Sequence, residues 1–112
     1  MGYRLHVAKT YKVEWDYNGF FNHKTEQINT LLADLCPLAY FDGEDKSFSQ
    51  RIEIDKEELQ EAIQDIENNN EYYDELLEHR GINCTANEFI DCLKGLLKVS
   101  DKKNDYVVLE WF

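Results

Sequence analysis

Side chains able to act as nucleophiles or soft metal ligands are few and scattered in this sequence: Cys36, Cys84 and Cys92, with His6, His23 and His79. A zinc ribbon or thiol redox centre needs cysteines paired at short spacing, so that one turn presents two ligands together. No Cys-x-x-Cys occurs, and three widely spaced cysteines argue equally against a disulfide framework. The expectation is that all three are reduced packing residues. His79 with Cys84 or Cys92 is the combination that a thiolate nucleophile would require, but no oxyanion element accompanies it. His6 falls on the polar side of a strand pattern, His23 at a helix start, and His79 at a helix end, where imidazolium complements the dipole. The sequence contains no G-x-S-x-G, P-loop, H-E-x-x-H or G-x-G-x-x-G motif. Asp42-Gly43-Glu44-Asp45 has the composition of a calcium loop, but its ligand positions and closing Glu are out of EF-hand register. The reading is therefore of a protein that is not an enzyme, with no cofactor and no metal.

Carboxylates are the abundant chemistry. Between Glu53 and Glu78 stand eleven acids and one base, Lys56, a local net of −10 out of −11 for all 112 residues. Glu57, Glu61 and Asp65 recur at i, i+4, i+8 with Glu58 beside them, and Glu71, Asp74, Glu75 and Glu78 repeat the arrangement. Like charges at i, i+4 destabilise a helix by roughly 0.2–0.5 kcal/mol per pair, and almost no lysine is interposed. A binding surface for a basic protein would account for that cost. Such a surface comprises Glu57, Glu58, Glu61, Asp65, Glu71, Asp74, Glu75 and Glu78, flanked by Tyr72. The plainer account is that the first acids favour a helix N-terminus and the rest keep a small protein soluble.

The elements that position these residues follow from periodicity. Tyr3, Leu5, Val7, Tyr11, Val13, Trp15 and Tyr17 alternate with mostly polar residues, the period of a strand. At about 3.3 Å per residue such a run spans roughly 50 Å, so it must bend or fold back near Ala8 to Thr10. Without Gly, Asn or Pro there, one long strand bent by a bulge is preferred to a tight hairpin, and it serves as the template of the sheet. A turn is expected at Asn18-Gly19, an N-cap at Asn22, and a helix over roughly 23–36 whose stripe is Ile28, Leu31, Leu32 and Leu35, stopped by Pro37. Leu38 to Phe41 reads as a short strand or core-plugging loop. Alternation from Phe48 to Ile54 predicts a strand paired with the first.

Asp55 with Glu58 forms a capping-box pattern for a helix burying Leu59, Ala62, Ile63 and Ile66. Asn68 to Asn70 breaks or kinks it, and Tyr72, Tyr73, Leu76 and Leu77 face inward beyond the break, with Gly81 as C-terminal cap. Thr85 with Glu88 opens a last helix burying Phe89, Ile90, Leu93, Leu96 and Leu97, in which Gly95 suggests close packing on the sheet. Tyr106 to Phe112 reads as a final strand pairing with the first.

The assembled expectation is one α+β domain over 1–112: a small, mostly antiparallel sheet of three to four strands, including both chain termini, with three to four helices on one face. With 43% apolar residues the chain can bury a single core. No apolar stretch has the length of a signal peptide or membrane span, which points to the cytoplasm. The acidic field opposes direct nucleic-acid and membrane binding and favours a basic protein partner, in an inhibitor, immunity or nucleic-acid-mimic role. The alternative is an assembly module, a homodimer formed through a strand edge and the aromatic residues Trp15, Tyr17, Phe20, Phe21, Trp111 and Phe112, with the acids merely solvated.

Overall fold

A computed structural model describes residues 5–10, 14–17 and 25–111. Its elements run β1 (Leu5–Thr10), β2 (Glu14–Tyr17), α1 (Thr25–Leu35), β3 (Tyr40–Phe41), a 3-10 turn (Lys46–Phe48), β4 (Arg51–Asp55), α2 (Lys56–Asn68), α3 (Asn70–His79), α4 (Ala86–Val99) and β5 (Tyr106–Trp111). The five strands form one antiparallel sheet in the order β2-β1-β5-β4-β3. This is the α+β class expected, with one more strand than the sequence suggested.

The alternating opening stretch is two strands rather than one. β1 and β2 pair antiparallel, with His6 opposite Tyr17, Val7 opposite Asp16 and a register irregularity between Ala8 and Thr10. A bulge does occur near the expected place, but the chain reverses after Thr10, and residues 11–13 lie outside the described set. Strand-length alternation cannot distinguish the two cases, because a hairpin that folds back keeps the same apolar spacing on both arms. The expected turn at Asn18-Gly19 and the N-cap at Asn22 also lie outside the described residues.

The centre of the sheet is β5, bonded on one side to β1 and on the other to β4. Its run Val107, Val108, Leu109 is buried throughout. The expected pairing of the last strand with the first is present, whereas the pairing of the 51–55 strand with the first is not. β4 lies between β5 and the two-residue edge strand β3. That strand also begins later than expected, because Asp45 caps a 3-10 turn over 46–48, its carboxylate accepting from the Ser47 amide at 2.9 Å.

Cross-strand pairs Leu5–Trp111, Val7–Leu109, Ile52–Leu109 and Ile54–Val107 set these apolar residues on one face. The helices cover that face, contributing Ile28, Leu31 and Leu32 from α1, Leu59, Ile63 and Ile66 from α2, Leu77 from α3 and Phe89, Leu93 and Leu96 from α4 to a single core. Asn29, fully buried in α1, accepts from the Trp111 indole Nε1 at 3.0 Å and donates to the Ser49 and Ser47 carbonyls at 2.9 and 3.3 Å. It thereby ties α1, the central strand and the loop before β4 into one polar knot.

The helix ends are set by local chemistry. The Asn69 backbone (φ −130°, ψ 44°) separates α2 from α3, its side chain donating back to the Asp65 carbonyl at 2.9 Å. α3 ends in a Schellman motif: Ile82 N–H donates to Leu77 O at 2.9 Å, Gly81 N–H to Glu78 O at 3.1 Å, and Gly81 adopts φ 76°. Thr85 and Glu88 make both halves of the expected capping box. The Asp55 box does not form: Asp55 caps the helix by accepting from Glu57 N at 2.8 Å, and Glu58 turns to the Leu38 amide at 2.8 Å. Gly95 is exposed, and a Cβ there would meet nothing within 4 Å, so it marks no close approach to the sheet.

Candidate interaction surface

The acids of α2 and α3 divide into those the fold employs and those it leaves free. Asp55 caps α2, Glu53 pairs with Arg51 at 3.1 Å and Glu67 with Lys94 at 3.3 Å. Glu58, half-buried, holds the Leu38 amide. Asp65 accepts from the Tyr73 hydroxyl and from Asn69 Nδ2 at 3.1 Å. Burial, reinforced by that bond to Asp65, raises the Tyr73 pKa above its usual value. Asp74 accepts from the Ala86 amide at 2.6 Å, in the first turn of α4, where a carboxylate also complements the helix dipole. Glu57, Glu61, Glu71, Glu75 and Glu78 are exposed, and their carboxylates engage no other described residue in a hydrogen bond or ion pair. Tyr72 is 61% exposed and packs edge-on to Tyr73, with ring centroids 5.1 Å apart.

Some of these acids line two separate clefts, whereas Glu57, Glu71, Tyr72 and Glu75 line neither. Glu58, Glu61, Asp65 and Tyr73 line a groove of about 380 Å³ together with Asp34, Leu35, Pro37, Leu38 and Ala62. Asp74 and Glu78 line a second cleft, of about 570 Å³, with Glu88, Cys84 and the 81–85 turn. The two share no lining residue. Spacing along α2 and α3 revealed the carboxylates but not this division, which follows from the break at Asn69. Asp34, Leu38 and Glu88 were missed as surface contributors. Asp34 and Leu38 reach the groove only because α1 ends beside α2, a long-range placement that no local pattern encodes.

Burial disfavours the thiolate at two of the three cysteines. Cys36 is buried and its thiol is pushed up to about 12 by burial, then by Glu58 nearby. Burial, with the charges of Glu88 and Asp74, pushes the Cys84 thiol up to about 11, the reverse of an activated nucleophile. His79 is exposed in the last turn of α3, and His6 sits half-buried across from Glu110 on the helix-free face. In the loop of calcium-like composition, Asp42 accepts from the amides of Gln50 and Arg51 at 2.8 and 2.9 Å, and Asp45 caps the 3-10 turn. Among the described residues, no three His, Cys, Asp or Glu side chains are grouped to hold a metal ion. No helix among them is long and apolar enough to cross a membrane.

Of the aromatic residues considered for a homodimer, Trp111 is fully buried in the core. The side chains of Trp15 and Tyr17, and residues 20, 21 and 112, lie outside the described set. Among the described residues the exposed large apolar ones are instead Leu38, Tyr40, Phe48, Tyr72 and Tyr106. Compared with protein-family models, curated proteins and solved structures, the chain matches none.

Proposed function

We propose that this protein is a non-catalytic interaction module that binds a basic protein partner through the exposed carboxylates of α2 and α3. The observation that carries this reading is the set Glu57, Glu61, Glu71, Glu75 and Glu78, which the fold leaves without a partner among the described residues. Glu57 and Glu61, and likewise Glu71 and Glu75, stand at i, i+4. Each such repulsive pair costs a helix roughly 0.2–0.5 kcal/mol, and no cap or ion pair of these side chains with a described residue offsets it. A cationic surface docked on the helices turns that repulsion into attraction. Carboxylates roughly 5–6 Å apart along a helix also imitate a row of phosphates, which suits an inhibitor or immunity role against a nucleic-acid-binding protein or basic toxin.

The test is retention on immobilised cationic proteins, basic nucleases among them, as salt is raised. Complexes that persist at about 0.5 M salt support a specific interface, since surface charges alone are screened within about 3–10 Å over this range. Loss of all binding by about 0.1 M would reduce the acids to non-specific ion exchange.

A further inference from the structure

We infer that the groove between the end of α1 and α2 docks a basic segment of the partner that carries one bulky apolar side chain among its lysines and arginines. This rests on the interaction reading above and narrows it to one place and one chemistry. The first observation is apolar. Leu38 is 88% exposed, projecting from the turn that its amide bond to Glu58 holds in place, and Pro37, Leu35 and Ala62 continue the apolar wall beside it. An isolated exposed leucine means little, but one set in a groove with other apolar atoms offers a pocket for an anchor residue.

The second observation is the charge around that wall. Asp34, Glu58, Glu61 and Asp65 line the same groove, and among the described residues no lysine or arginine does. Arg80 reaches its rim only to pair with Asp34. Glu61 stands there with no described partner. This field selects the occupant. A nucleic acid or an anionic membrane is repelled, and so is a second copy of a chain whose net charge is −11. A lysine-rich segment without an apolar residue would find equivalent sites along α3, so the leucine specifies the anchor. The cleft at the start of α4 lacks this combination: Asp74 and Glu88 are engaged in holding that helix terminus, and none of the exposed large apolar residues lines it.

The experiment uses the full chain and a short fluorescent peptide of alternating lysine and arginine around a central leucine, compared with the same peptide carrying serine at the centre. Binding is read by anisotropy. Leu38→Ser and Glu61→Lys should each weaken the leucine peptide about tenfold, the scale of losing one buried aliphatic anchor or one favourable charge contact. Glu44→Lys, on the exposed 42–45 turn and outside both the groove and the acidic helices, should leave it within about twofold. Leu38→Ser should unfold at the wild-type midpoint, since the side chain it replaces is exposed. Equal binding of the two peptides, or an unaffected Leu38→Ser variant, overturns the groove. If Glu75→Lys, on α3, takes the loss while Leu38→Ser and Glu61→Lys do not, the basic-partner reading stands and the groove falls. Failure of every variant and the wild type to bind either peptide also removes the groove, and retention on cationic proteins then decides the broader reading separately. A wild-type dimer in sedimentation that Leu38→Ser dissolves would make a second copy the occupant, and the proposal would be overturned.

Discussion

At the scale of single residues, the side chain that does most to join distant parts of the chain is Asn29. It is fully buried, and its amide is matched on both sides: Oδ1 takes the Trp111 indole proton and Nδ2 serves the Ser47 and Ser49 carbonyls. Replacing it with leucine keeps the volume but strands the indole N–H and two carbonyls away from water. Asn29→Leu should cost roughly 1–3 kcal/mol, the desolvation penalty of buried groups left unpaired. Asn29→Leu with Trp111→Phe should cost less than the two single changes together, because the orphaned indole donor is gone. Urea midpoints of the four proteins provide the cycle, and an Asn29→Leu midpoint equal to wild type would show the knot to be idle. None of this was legible beforehand. Periodicity marks Ile28, Leu31 and Leu32 as inward, and Asn29 lies on the same arc but is polar, with its decisive partner 82 residues away. Glu58 was misjudged for the same reason: its spacing from Asp55 suited a capping box, while the Leu38 amide, 20 residues earlier, claimed it.

At the scale of elements, most of what depends on neighbouring residues was readable, whereas of the strand partners only the pairing of the last strand with the first was. The Thr85 capping box, the stop at Pro37, the break at the asparagines and the Gly81 cap all involve groups within a few residues of one another, and all are present. The reversal after Thr10 and the central place of β5 depend on which strands meet, and alternation is indifferent to that. Gly95 shows the limit from the other side. A glycine inside a helix suggested a close approach, yet no atom lies within 4 Å of where its Cβ would be, and its φ is not in the left-handed region, unlike that of Gly81. Gly95→Ala should therefore stabilise the fold by about 1 kcal/mol, through helix propensity and a less flexible unfolded chain. Gly81→Ala, at φ 76°, should do the reverse. Thermal melts of the two variants check the pair, and a Gly95→Ala protein that melts lower than wild type would reveal packing absent from the described surroundings of α4.

At the scale of the whole molecule, the question is why a small fold places a net −8 of its −11 on two consecutive helices, −4 on α2 and −4 on α3. Solubility asks only for net charge away from zero, and that could be spread over every surface. Here the structural roles of acids are filled by Glu53, Asp55, Glu58, Asp65, Glu67 and Asp74, and of the exposed remainder Glu57 and Glu71 favour their helix N-termini while Glu61 and Glu75 repel them at i, i+4. Changing Glu61 and Glu75 to lysine isolates this remainder. Each new lysine follows a glutamate by four residues, Glu57 and Glu71 respectively, the favourable orientation of an i, i+4 pair. The double variant should gain up to about 1 kcal/mol, as two repulsive neighbourhoods become attractive. Binding to a cationic partner should fall by several kcal/mol, through like-charge contact where carboxylates had stood. Charges that serve solubility alone predict the same rise in melting temperature with retention on cationic proteins at about 0.5 M salt unchanged. A double variant that melts higher and is retained as tightly as wild type would therefore remove these helices as the binding surface, whereas higher stability with lost retention would show a surface kept for its partner at the expense of its own fold.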